Sequence, residues 1–357
     1  MAGMTDQSEI REEDIRAAVA AGVIEEDQAR ALQTYVQDRR GFRGGMTADD
    51  EPFVLFSGFS EIFVSIGLIL LYLGLAGLLG ASAPYAAVGI SLVLAFYYTR
   101  RRRMTLPSIV IAIAFAAGAA YFITPEWEDF RLRDPATVVL SFSLPGLVAM
   151  AVYYWAFRLP FALFLFGLFG FATMFGAGLA VDAAAGSKIN DFALLAFDLR
   201  RSGTLGLSSL LFGLMAFAGA MYFDMKDPHR IGRHSACGFW LHIVAAPALT
   251  NTILLTLYNL DTGFGYALTV CALLLLSLVA IVIDRRSLLT VGIAYAGTLL
   301  GWALSQTGVD GDAPVILLLL GLLVTPLGTW WTAIRVRLMQ ALPNFPLKER
   351  LPPYGAG

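Results

Sequence analysis

Asp224, Lys226, Asp227, His229, Arg230, Arg233 and His234 crowd one short polar stretch, and a helix-length apolar run carrying His242 and Asn251 follows directly. Those residue types suit proton and ion chemistry. A carboxylate and a guanidinium form a charge pair, and an imidazole titrates close to neutral pH. On a helix, Ser235, His242, Thr252, Thr256 and Asn259 fall within an arc of about 120°. Asn251 points the other way, and Pro247 releases a backbone carbonyl near the middle. Asp224 closes one hydrophobic span and Ser235 opens the next, so the connecting loop must bring the two helix ends together. The expected site is therefore Asp224, Arg230, Arg233 and His242, with Asp224 paired to Arg233 across the loop and His242 two turns deeper. Ser235, Thr252, Thr256 and Asn259 form a polar stripe continuing from it. Such a stripe either hydrogen-bonds neighbouring helices or lines a ligand or ion path.

Other chemistry is absent from the pattern. There is no phosphate-binding glycine loop, nucleophile elbow, paired-histidine metal motif or dinucleotide fingerprint. No cofactor, metal or nucleic-acid partner is expected, and no catalytic residue is assigned. Cys237 and Cys271 fall inside spans and read as small packing residues. Glu61, Asp182, Asp224 and Asp284 all lie at span ends, where an acid at a helix N-terminus such as Glu61 has a structural use.

The elements that must position these residues are membrane helices. The chain is 57% hydrophobic and 15% charged, against about 25% charged in soluble domains. Its apolar runs approach the roughly 20 residues that cross a bilayer. The hydropathy predicts an all-α polytopic bundle of about ten spans over residues 53–337. A small αα-hairpin and linker precede it at 1–52, and a Pro-rich tail follows at 338–357. The N-terminal segment holds 12 acidic and 6 basic residues. Gly22 ends its first helix, and the hairpin is a candidate surface for a cytoplasmic protein partner. From the first span onward, one set of alternate loops carries 14 Lys and Arg and the other set 5. The positive-inside rule then puts both termini in the cytoplasm. Arg100, Arg101, Arg102 and Arg103 read as a topology anchor able to meet anionic lipid head groups.

Finer expectations follow from periodicity. Residues 190–201 pattern as an amphipathic helix at the outer interface, with Asp191 and Asp198 on its polar side. Trp330 and Trp331 mark the inner end of the tenth span. Gly67 and Gly74, Gly206, Gly213 and Ala220, and Gly321 and Gly328 repeat at seven-residue spacing, and Gly297 and Gly301 form a GxxxG pair. All of these read as close helix contacts.

Two regions carry a resemblance. Ala21-Gly22-Val23-Ile24 with Gln28-Ala29, then Phe56-Ser57-Gly58-Phe59, is one. Asp224-Met225-Lys226-Asp227 through Arg233-His234-Ser235, and Gly238-Phe239-Trp240-Leu241-His242 to Ala245-Ala246-Pro247, is the other. Together they resemble a group of uncharacterised bacterial multi-pass inner-membrane proteins known only as a domain of unknown function. The resemblance implies a bacterial inner-membrane location and no chemistry.

Two functional readings follow. One is a permease-like carrier of a small solute, with five spans on each side of residues 182–204 arranged as an inverted repeat. The other is a non-transporting scaffold or regulatory factor that recruits partners through the hairpin and tail. A polar cavity around span seven favours the first, and solid packing with glycine contacts there favours the second. Reporter fusions after Arg103, Lys226, Arg286 and Arg337 are expected to read cytoplasmic, and fusions within 126–134 and 306–312 external. A cytoplasmic signal from 126–134 would break the ten-span topology at span three.

Overall fold

The computed structural model describes residues 18–19, 21–23, 25, 28, 58–121, 134–186, 197–228, 230, 233–306, 313–352 and 354. The chain divides into two units, Met1–Phe59 and Ser60–Gly357. In the first, Gly22 has φ +69°. Its N–H reaches the Val19 carbonyl at 3.0 Å, and that of Val23 reaches Ala18 at 2.9 Å. This is the left-handed glycine stop that the sequence predicts. The Gln28 side chain accepts from the Glu25 N–H at 3.1 Å, half of a capping box. The remainder of the expected hairpin and linker lies outside the described residues.

Among its described residues the second unit is built of helices and their connecting turns, with no strand. The helices are α1 (Phe59–Leu79), α2 (Ala83–Ala95), α3 (Thr105–Tyr121), α4 (Pro135–Phe157), α5 (Phe161–Ala184), α6 (Gly203–Asp224), α7 (Arg233–Tyr258), α8 (Gly263–Ile283), α9 (Ser287–Gln306), α10 (Ala313–Thr329) and α11 (Trp331–Ala341). Several starts are written in the sequence. Asp134, Ser202 and Thr262 each cap the N–H three residues on, at Thr137, Leu205 and Gly265. A π-helical turn, Phe96–Arg101, extends α2 into the arginine cluster.

Among the described residues six stretches are long and apolar enough to cross a membrane: Phe59–Arg101, Pro135–Phe157, Phe161–Ala184, Gly203–Asp224, Arg233–Tyr258 and Gly263–Ile283. A seventh is the pair Pro314–Thr329 and Trp331–Ala341 taken together, bent by 69°. Thr105–Tyr121 and Ser287–Gly301 are shorter apolar helices. The first stretch folds back on itself. Tyr72 and Ser91 share a hydrogen bond of 2.8 Å, whereas nineteen residues of straight helix would part them by about 28 Å. The reversal is the 3₁₀ turn Gly80–Ser82, where Gly80 takes φ +51°. These helices suit a multi-pass membrane protein.

The tenth span differs from expectation. It stops at Thr329, and Trp331 starts a new helix at an angle. Pro326 removes one helical N–H near the break. Trp331 is buried rather than seated among head groups, because its indole N–H donates to Asp284 Oδ1 at 2.7 Å. Trp330 alone keeps the exposed position expected for both. The tail is not an extension either. Lys348 Nζ donates to the Met339 and Leu342 carbonyls at 2.8 Å each, so a cation satisfies the open end of α11. Arg335 donates to the Pro352 carbonyl at 2.6 Å, and Leu351 is buried against Trp331 and Met339.

The repeated glycines divide into two kinds. A Cβ at Gly206 would meet the backbone of Leu199 at 2.8 Å, and one at Gly213 would meet Leu249 at 2.8 Å. Gly297 and Gly301 approach Leu320 and Ile316 on α10. A Cβ at Gly67, Gly74, Gly321 or Gly328 would meet no described atom within 4 Å, so these four do not seat the expected contacts. Gly118, outside any repeat, is tighter: its Cβ would lie 2.7 Å from the Pro84 carbonyl. We expect Gly118→Ala to destabilise the detergent-purified protein by about 1–3 kcal/mol, because backbone must move. Gly67→Ala should be neutral or stabilising by up to ~1 kcal/mol. Equal thermal midpoints for the two variants would contradict this packing.

Candidate functional site

The polar stretch sits where α6, α7 and α8 end together. Asp284 caps α8 in the left-handed conformation, φ +58°. The Asp284 and Arg285 N–H groups close the helix on Ile281 and Ala280, at 3.2 and 2.9 Å. A non-glycine residue there costs about 1 kcal/mol or more, so its side chain must compensate. It does: Asp284 Oδ1 accepts from Trp331, and Oδ2 pairs with Arg230 Nη1 at 3.0 Å. Arg335 Nε stands 3.8 Å from Oδ1. Arg230, itself at φ +53°, also donates to the Asp284 carbonyl at 2.6 Å.

The same reversal turns Arg285 inward, where it is one of the largest fully buried side chains. Its Nε donates to Asp224 Oδ2 at 3.0 Å, and its Nη2 donates to Oδ1 and to the Ser235 carbonyl. One guanidinium thus grips the last residue of α6 and the first turn of α7. His242, with no exposed surface, lies with Nε2 2.9 Å from Asp224 Oδ2. A carboxylate at Asp224 can only accept, so the imidazole donates through Nε2–H and leaves Nδ1 as its other ring nitrogen. That Nδ1 is buried with no hydrogen-bond partner among the described residues. The Phe217 ring stands edge-on to the imidazole, centroids 5.5 Å apart. Gly238 completes the fit, since a Cβ there would overlap the Asp224 carboxylate.

Of the four residues expected to form one site, the structure joins Asp224 and His242 directly. Arg230 belongs to the neighbouring Asp284 cluster. Arg233 does not pair with Asp224; it is exposed at the first position of α7, and Arg285 takes its expected place. The physical reason lies in helix direction. A basic residue at a helix N-terminus gains nothing from the dipole, whereas the turn after α8 aims Arg285 at the carboxylate. In the sequence, Asp284-Arg285-Arg286 looks like any basic cluster after a span, so nothing there separates Arg285 from a topology charge. Asp227 lies beside the same loop, its Oδ2 3.4 Å from the Ser235 N–H.

The polar stripe is consumed by protein partners. Thr252 donates to the Ala248 carbonyl at 2.6 Å. Thr256 accepts from the Leu199 N–H at 3.1 Å, and Asn259 donates to Asp198 Oδ2 at 2.7 Å. Arg200 reaches the Asn259 carbonyl at 3.0 Å. The Tyr258 end of α7 is thereby tied to residues 197–200. Those residues form turns, not the last turn of an interfacial helix, and Asp198 is fully buried rather than on a wet face. Residues 190–196 of that predicted helix lie outside the described residues. Periodicity misplaced Asp198 because a carboxylate with amide and arginine partners can be buried, which hydropathy does not register.

Glu61 is buried and accepts from the Leu106 N–H at 3.1 Å, so it caps α3 from another helix. Arg100, Arg101, Arg102 and Arg103 are exposed at the end of the π-helical turn, where Arg102 donates to the Tyr97 hydroxyl at 3.1 Å. Among the described residues no cluster of His, Cys, Asp and Glu is able to hold a metal ion. Chemically, the Asp224–His242 pair holds and orients a proton at Nε2. The nearby Cys237 sulfur lies 3.5 Å from the Tyr154 hydroxyl. In comparisons with family models, curated proteins and solved structures, nothing matches this chain.

Removing one partner of a buried, hydrogen-bonded pair costs about 3–5 kcal/mol. Arg285→Ala is therefore expected to lower thermal stability by that amount or to abolish folding. Arg233→Ala is expected to stay within about 0.5 kcal/mol of wild type. Thermal unfolding of the two variants in one detergent checks this, and a reversed order would restore Arg233 as the partner of Asp224.

Proposed function

We propose that this chain is a non-transporting membrane factor, a scaffold or regulatory protein, whose buried polar residues clamp helices rather than line a solute path. One observation carries the reading. Each member of the polar stripe on α7 is engaged by the protein. Ser235 through its backbone carbonyl and His242 through Nε2 belong to the Arg285–Asp224 cluster, Thr252 bonds its own helix, and Thr256 and Asn259 bond residues 197–199. The facing helices close in through Gly238 against Asp224, Gly213 against Leu249 and Gly167 against Val244. Solid packing of this kind is what a clamp requires and what a permease path through α7 would lack.

The finer topology belongs to the same proposal. It comprises ten spans, cytoplasmic termini and a bacterial inner-membrane location, supported by the loop charge bias and by the resemblance of the two quoted regions. The partner-binding surface is then assigned to the segment 1–52. The tail supports the body instead, since Lys348 and Leu351 are engaged with α11.

His242→Gln tests the reading. Glutamine keeps a donor for Asp224 but cannot titrate. The variant is expected to melt within a few degrees of wild type. Proteoliposomes of both should show the same proton flux under an imposed pH gradient. A wild-type flux above that of empty vesicles, abolished in the variant, would establish a conducting path at His242 and overturn the clamp.

A further inference from the structure

A cleft of about 560 Å³ runs between α8, α9 and α10. Its volume falls in the range of about 300–1,000 Å³ typical of small-molecule sites. Its walls are aliphatic, with Val270, Leu274, Ala296 and Leu323 among them. Tyr266 and Ser277 supply the hydroxyls of the lining, and both are already used. Tyr266 donates to Asp261 at 2.7 Å and Ser277 to the Leu273 carbonyl at 2.8 Å. A polar solute would thus gain little from these walls in return for its lost hydration. Val270, Leu274 and Leu323 are also exposed, so the cleft opens sideways onto the outer surface of α8 and α10. For helices that cross a bilayer, that surface is lipid.

Length and charge narrow the occupant. The α8 wall runs from Gly263 to Ser277, about 21 Å at 1.5 Å per residue. One leaflet of the hydrocarbon core is about 15 Å deep, so an acyl chain fits lengthwise. At the inner end, Leu289 and Leu327 line the cleft and pack against the cluster containing Trp331. Arg286 stacks on Trp331 at 5.4 Å, one turn before Leu289. Behind it Arg230 and Arg335 gather on Asp284, while Arg285 is buried on Asp224. Burial of aliphatic chain in the cleft and the Arg286 cation at its inner end suit one chemistry.

We propose that the cleft binds one anionic glycerophospholipid of the surrounding bilayer, with an acyl chain along α8 and the phosphate head group at Arg286. The inference is independent of the clamp around His242. Native mass spectrometry of the detergent-released full chain tests it, with palmitoyl-oleoyl phosphatidylglycerol and the matching phosphatidylcholine as probes. Wild type is expected to retain one phosphatidylglycerol, at least five-fold in preference to phosphatidylcholine. Ala296→Phe fills the cleft and should lose that bound lipid. Arg286→Gln should keep a bound lipid but lose the preference. Val270→Trp, at an exposed lip of the cleft, repeats the filling test should Ala296→Phe misfold. Two results would sink the proposal: no preference in wild type, with several lipids held weakly and alike, or undiminished phosphatidylglycerol retention in a folded cleft-filling variant.

Discussion

The end of the bundle where α6, α7 and α8 meet depends on one buried ion pair, Asp224 with Arg285. Two charges taken out of water cost several kcal/mol each, and the cost is met only when both are fully hydrogen-bonded. Asp224 accepts from two guanidinium nitrogens and an imidazole, and Arg285 also satisfies the Ser235 carbonyl. The pair therefore dictates geometry around it. The end of α6 must meet the start of α7, α8 must reverse at Asp284, and position 238 must be glycine. Each demand is local, yet together they fix three helix ends.

Asp284 extends the constraint outward. Neighbours in the chain, Asp284 and Arg285 face opposite partners because the left-handed cap separates their directions. Asp284 gathers Arg230 from the α6–α7 loop, Trp331 at the α10–α11 break and Arg335 on α11. The tail then docks on α11 through Lys348 and Leu351. The helices before this region are held differently. Tyr153 packs as a tilted ring against Phe115 and Phe157, Trp240 stands edge-on to Phe161, and Glu61 caps α3 from α1. Apolar and aromatic packing assembles that part of the bundle; charge assembles the ends of α6, α7 and α8 around Asp224 and Asp284.

The two functional features consequently have different characters. The polar cluster is closed: its glycines and rings leave little room, which suits positioning. The cleft along α8 is open and aliphatic, with the Arg286 cation one turn from its Leu289 wall.

Hydropathy was enough for the helical class and for gathering Asp224 and His242 about one loop, although their direct bond and Arg285 displace the expected Asp224–Arg233 pair. Those features depend on short-range rules: apolar run length and a short loop joining two helix ends. The Asp224–Arg285 pair, the burial of Asp198 and the Trp331 indole bond were not legible because each joins residues far apart in the chain; the folding back of the tail was not legible because its prolines read as an extended segment. Glycine spacing likewise could not separate Gly213, which seats Leu249, from Gly67, which faces outward. Periodicity assigns a residue to a face of its helix. Which neighbour that face meets, and whether a charge on it is buried or wet, depends on helix packing, and only the assembled tertiary structure decides that.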